Sequence, residues 1–169
     1  TSRPLLLLGP SGSGKSSLAR AISETLGWTY YERVVTSETR LEHLIGSVDL
    51  VQRLHAAEVA GRIPGEVFNR DLAAFLEPGV LWWAFDPASA RTAGSGATAP
   101  RTDPGMPARR AASADGAVVL IDEIDKAEPD VPNNLLVPLG SLSLPVEGRA
   151  EPVVPTRPYR PLVCITSNE

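Results

Sequence analysis

Eight consecutive residues carry the clearest chemistry in this chain: Gly9-Pro10-Ser11-Gly12-Ser13-Gly14-Lys15-Ser16 fits the spacing G-x-x-x-x-G-K-[ST] at every fixed position. Glycines at 9, 12 and 14 permit positive φ and let an anion come close to the backbone. Lys15 adds a point charge suited to β- and γ-phosphates, and the Ser16 hydroxyl is a hard oxygen able to ligate Mg²⁺. A second candidate group is the adjacent pair Asp122-Glu123, and a third is Asn168.

The elements around the first group decide what it can do. Leu5 to Leu8 is an apolar run of strand length, and Ser17 to Leu26 spaces its apolar residues as an amphipathic helix does. A strand, a glycine-rich turn and a helix start gather backbone N–H groups and the positive end of a helix dipole at one spot. Residues Gly9 through Ser17 are therefore predicted to bind phosphate. The plain alternative is a glycine-rich turn that binds nothing.

Ala117-Val118-Val119-Leu120-Ile121 is a continuous apolar run, as expected of a parallel strand buried on both faces, and it ends in Asp122-Glu123. In phosphate-loop NTPases the terminal Asp of such a strand holds Mg²⁺. A neighbouring Glu can orient or deprotonate the attacking water. Because side chains alternate along a strand, the two acids take separate roles: Asp122 faces the metal and Glu123 the water. A surface Asp-Glu at a helix cap is the competing reading. Leu162 to Ile165 is a further buried strand, followed by Thr166-Ser167-Asn168. Ligands of open α/β sheets bind beyond the carboxyl ends of the strands, so Gly9, Asp122 and Asn168 should converge on one crevice.

Between these landmarks, Gly27 closes the first helix and Thr29 to Val35 reads as a second strand. Thr36-Ser37 offers a cap for a helix through Leu41, Leu44 and Ile45, and Val48 to Arg62 forms an amphipathic stretch broken by Pro64-Gly65. The hydrophobic run ending Val80-Leu81-Trp82-Trp83-Ala84-Phe85 is either a core helix or, through its double Trp, a stacking surface. Asp130 or Asn133 could cap a helix through Leu135 and Leu139, and Ser141 to Val154 reads as a β-hairpin around Gly148. Thr92 to Asp115 contains no Val, Ile, Leu or aromatic residue. Such a segment buries too little to offset its ordering entropy and is predicted to be a mobile insertion, its Arg101, Arg109 and Arg110 solvated or touching a nucleotide or partner.

The bulk properties narrow the class. With 169 residues the chain fits one domain, and a net charge of −4 gives no footprint for nucleic acid. A single cysteine, Cys164, excludes an intramolecular disulfide and fits a cytoplasmic setting; it lies in an apolar run and reads as a packed small hydrophobe rather than a nucleophile. No run approaches 18 apolar residues and no basic-then-apolar leader opens the chain, so neither a membrane span nor a signal peptide is expected. Arginine outnumbers lysine 14 to 2, which suggests a high-GC bacterial gene.

With these landmarks in order, the chain resembles the AAA+ ATPases, and within them the MoxR-like branch. Gly9 to Ser16 is similar to the Walker A motif, Val118 to Glu123 to Walker B, and Ile165 to Asn168 to the sensor-1 strand. The longer segments Thr36–Gly46, Glu77–Pro87 and Ile121-Asp122-Glu123-Ile124-Asp125-Lys126-Ala127 carry the branch-level likeness. The resemblance covers nearly all of residues 1–169 apart from 92–115. It implies an α/β three-layer sandwich with a mostly parallel sheet, a helix-2 insertion, and a pre-sensor-1 hairpin near Gly148. It also implies ATP and Mg²⁺ as cofactors, catalysis through Lys15, Glu123 and Asn168, a homo-oligomeric ring, and an unknown protein client remodelled by ATP turnover. The family's arginine finger and helical lid would follow Glu169, so the chain reads as a core fragment that hydrolyses weakly alone. Two other readings stay open: a phosphate-loop small-molecule kinase, and a nucleotide-gated scaffold with little turnover. No Leu-Ser-Gly-Gly-Gln-like signature precedes Asp122, which disfavours a transporter ATPase.

Overall fold

The computed structural model describes residues 3–65, 67–94, 100–108, 115–156 and 159–168. In chain order these form β1 (Leu5–Leu8), α1 (Lys15–Leu26), β2 (Thr29–Val34), α2 (Leu41–Ile45), β3 (Gly46–Val48) and α3 (Leu50–Arg62). Then come a 3-10 turn (Leu72–Phe75), β4 (Leu76–Pro78), α4 (Val80–Phe85) and α5 (Pro87–Thr92). The remaining elements are β5 (Gly116–Asp122), a second 3-10 turn (Ile124–Lys126), α6 (Asp130–Ser141) and β6 (Arg160–Ser167).

Four strands make one parallel sheet in the order β1-β6-β5-β2. The period-2 alternation of β5 sorts its side chains onto two faces. Val119 and Ile121 join a large core with Trp82, Phe85, Leu135 and Leu139, while Val118 and Leu120 join a smaller one with Ala19, Tyr30 and Cys164. Helix α1 thus covers one face, and α4 and α6 the other. The expected α/β layering with a parallel central sheet is present. Burial also raises the Cys164 thiol pKa, in keeping with a packed hydrophobe.

Trp82 and Trp83 are buried, so the double Trp is core rather than a stacking platform. The Trp82 indole N–H still finds an acceptor, Ser89 Oγ at 2.8 Å, and the Arg149 guanidinium lies 4.8 Å from its ring centroid. Arg149 belongs to the predicted hairpin, which narrows to one antiparallel pair, Leu144 with Val153, turning at Gly148 (φ 84°). Two local expectations change. Helix α2 begins only at Leu41, where His43 Nδ1 accepts the Arg40 N–H at 3.2 Å, because Thr36 and Thr39 form a turn of their own. Helix α6 has no side-chain cap; Pro129 precedes it, and Asp130 is its first residue. The antiparallel pair β3–β4, which brackets α3, had no sequence signal, since each strand is only three residues long.

Of the expected insertion 92–115, residues 95–99 and 109–114 lie outside the described residues, and 100–108 lie against β2. Met106 exchanges both backbone hydrogen bonds with Tyr30, each 2.8 Å, on the free edge of β2. Gly105 lies so close to Thr29 and Tyr31 that a Cβ there would collide with Thr29 Cγ2 and the Tyr31 ring. Arg101 donates to the carbonyls of Ala93 and Leu76, and Asp103 accepts from the Tyr31 hydroxyl at 3.0 Å and pairs with Arg91 at 3.3 Å. The segment is held by backbone pairing and polar anchors, not by apolar burial.

Burial, with Tyr159 and Asp103 nearby, pushes the Tyr31 phenol far above its ordinary range, so Tyr31 remains a neutral donor. Asp103→Ala removes its acceptor in a buried setting and should lower stability by about 1–2 kcal/mol. Urea unfolding of the chain measures this, and an unchanged midpoint would mean that the segment adds nothing to the fold.

Candidate active site

The order β1-β6-β5 sets the carboxyl ends of three strands side by side: Leu8 pairs in register with Ser167, and Ile121 with Ile165. Three connections leave from that edge. After β1 the chain turns through Gly9–Gly14 into α1, whose N-cap Gly14 has φ 85° and offers no side-chain cap. The N–H groups of the first turn are thereby left for an outside acceptor. Gly12 (φ 78°) and Gly14 both sit in the left-handed region, with nothing within 4 Å of where a Cβ would project. Conformation, not crowding, demands glycine at both positions.

After β5, Glu123 adopts φ 60° and ψ 48°, which no β-strand residue shares, and swings the chain into the 3-10 turn. After β6 comes Asn168. Together Ser11 to Ser17, Asp122, Glu123 and Asn168 line a cleft of about 210 Å³. Gly9 and Pro10 do not line it. A larger cleft of about 640 Å³ lies between the turn after β2 and the start of α6, bordered by Glu38, Arg40, Glu42, Glu128 and Asp130. That cleft has no phosphate cradle.

A run of hydrogen bonds links the polar groups. Ser16 Oγ donates to Asp122 Oδ2 at 2.8 Å, and Asp122 Oδ1 accepts a hydrogen bond from the Thr166 hydroxyl. The Glu123 N–H donates to Thr166 Oγ1 at 2.9 Å. Asn168 Nδ2 reaches Glu123 Oε1 at 3.4 Å, a long contact, and Asn168 Oδ1 accepts from Lys15 Nζ at 3.0 Å. Lys15 Nζ also donates to the carbonyls of Gly9 at 2.6 Å and Pro10 at 2.9 Å. Every acceptor around the ammonium is neutral, so an anion can replace one of them at electrostatic gain.

A second brace lies just outside. The Asn168 N–H donates to Asp125 Oδ1 at 3.0 Å. That bond, aided by Ser167 and Lys126 against some desolvation, holds the Asp125 carboxyl below its usual range. All the residues expected from sequence thus occupy one neighbourhood. Thr166 and Asp125 were not singled out from sequence. The available signals were the two-residue spacing of Thr166 from Asn168 and the position of Asp125 two residues after Glu123.

No curated protein matches the chain. Among solved structures, one from Cytophaga hutchinsonii ATCC 33406, described as a candidate ATPase, is 14% identical with a TM-score of 0.49. The match covers 99% of this chain and 34% of that one, so the chain spans about a third of that protein's length. The sequence model of the AAA domain (dynein-related subfamily) matches residues 4–167, from the strand before the glycine loop to the end of the strand beside Asp122, and the chain belongs to that family.

Proposed function

We propose that the chain is the ATP-hydrolysing core of a MoxR-like AAA+ protein, working with Mg²⁺. The observation that carries this reading is the contact of Ser16 with Asp122 at the uncapped start of α1. Backbone N–H groups and Lys15 would take the phosphates of ATP. Ser16 and Asp122 present two hard oxygens of the kind Mg²⁺ takes alongside phosphate oxygens and water. The ion supplies neutralisation of phosphate charge when bound. Glu123 would accept a proton from the attacking water as the base, a role supported by the contact of Asn168 with its carboxylate.

The branch is supported by the run Asp122-Glu123-Ile124-Asp125-Lys126-Ala127, by α3 standing between β3 and β4, and by the hairpin bridge before β6. On this reading residues 1–169 are one AAA+ core, with 92–115 an insertion whose middle is docked on β2. The protein works in the cytoplasm as a homo-oligomeric ring that remodels a protein client. Among the described residues, no helix is long and apolar enough to cross a membrane.

Two substitutions separate binding from chemistry. Lys15→Ala should abolish binding of a fluorescent ATP analogue, whereas Glu123→Gln should bind it normally and lose about 10²–10⁴-fold in turnover. Tight binding by the Lys15 variant would rule the loop out as the phosphate site.

Assembly gives an independent test. An arginine donated by a neighbour accelerates other phosphoryl-transfer enzymes by about 10³–10⁵-fold. Turnover per subunit of the full-length protein should therefore climb with concentration, in step with assembly followed by light scattering. A flat rate across the assembly transition would favour a self-contained site instead.

A further inference from the structure

We propose that Thr166 is a positioning residue that sets both acids of the site through one hydroxyl. The inference rests on the reading of Asp122 as metal ligand and Glu123 as base. A threonine hydroxyl has one proton and two lone pairs. Here the proton goes to Asp122 Oδ1 and a lone pair receives the Glu123 N–H. Thr166 is 1% exposed, so bulk solvent does not reach the hydroxyl.

The consequences differ for the two acids. With Oδ1 occupied, the Asp122 carboxylate is turned so that Oδ2 meets Ser16, the second oxygen donor. Carboxylates that ligate metals are commonly oriented by such outer partners. Glu123 faces a different problem: φ 60° is unfavourable for a residue with a Cβ. The Thr166 bond holds its N–H in that conformation, and with it the direction in which the side chain leaves β5. Threonine is also stiff at χ1, so the hydroxyl is fixed by the β6 backbone. The arrangement meets the glycine loop through the Ser16 hydroxyl, a metal donor on this reading, and not through the backbone N–H groups or Lys15, so Thr166 should not affect how phosphates are held.

The test uses Thr166→Val, which keeps shape and loses the hydroxyl, and Thr166→Ser, which keeps the hydroxyl. Binding of a fluorescent ATP analogue is measured in EDTA, then Mg²⁺ is titrated into the loaded protein, and turnover is followed in the full-length protein. Thr166→Val should bind the analogue in EDTA like the parent, with Mg²⁺ affinity and kcat each about 10–100-fold lower. Thr166→Ser should recover most of both losses.

Parent-like Mg²⁺ affinity and kcat in Thr166→Val would overturn the proposal, as would Thr166→Ser failing as badly as Thr166→Val. Circular dichroism monitors folding. If the valine variant does not fold, Thr166→Cys replaces it, since a thiol is a weak hydrogen bonder of similar size; equal Mg²⁺ affinity in the Cys and Ser variants would then sink the idea. Failure of the parent itself to bind the analogue would instead defeat the ATPase reading.

Discussion

Asp122 is the group on which the site depends, because each of its carboxylate oxygens is claimed by a hydroxyl from a different element. Ser16 comes from the first turn of α1 and Thr166 from β6, while Asp122 itself ends β5. Three pieces of backbone far apart in sequence are thus tied at one functional group. A carboxylate half out of water is stabilised by such donors, and they in turn fix its orientation. Parallel pairing makes this possible. Only when β1, β6 and β5 run the same way do their carboxyl ends, and the turns that follow them, share one edge.

Away from that edge, the sheet is held from both sides by unequal cores. The larger contains Trp82, Phe85 and the inward residues of α6, and the smaller is built around Ala19 of α1. Ala19 is completely buried, so α1 approaches β5 closely through a small side chain. That approach brings the start of α1 level with Asp122. The hairpin packs Leu144, Val146 and Val153 into the larger core, and the Arg149 guanidinium over Trp82 adds an electrostatic hold.

Legibility in the sequence followed the physics of each element. The glycine loop was legible because positive φ and close anion approach restrict residue choice at fixed spacing, and Gly12 and Gly14 do adopt that conformation. β5 was legible because a strand buried on both faces must be continuously apolar. The docking of 100–108 was not legible. Composition speaks to apolar burial, whereas this segment is secured by the paired backbones of Met106 and Tyr30 and by Asp103 and Arg101, which any polar sequence could contain. Strands β3 and β4 were hidden for want of length. Thr166 was hidden because its role arises from a neighbour 44 residues away, which no local pattern records.

The site also divides into fixed and exchangeable bonds. Asp122, Thr166 and Glu123 are joined across β5 and β6, two adjacent strands at the centre of the sheet, and Asp125 clamps the Asn168 backbone to the same pair. Lys15, by contrast, contacts two loop carbonyls and one amide oxygen, none of them charged. Charge-assisted bonds to an anion are stronger than bonds to neutral oxygens, so a ligand can draw Lys15 away from Asn168 without breaking a bond to Asp122. Releasing Asn168 Oδ1 leaves that amide held by its backbone to Asp125 and by Nδ2 to Glu123. Occupancy of the loop and orientation of Asn168 are therefore coupled through one lysine, while Asp122 keeps its two hydroxyl partners.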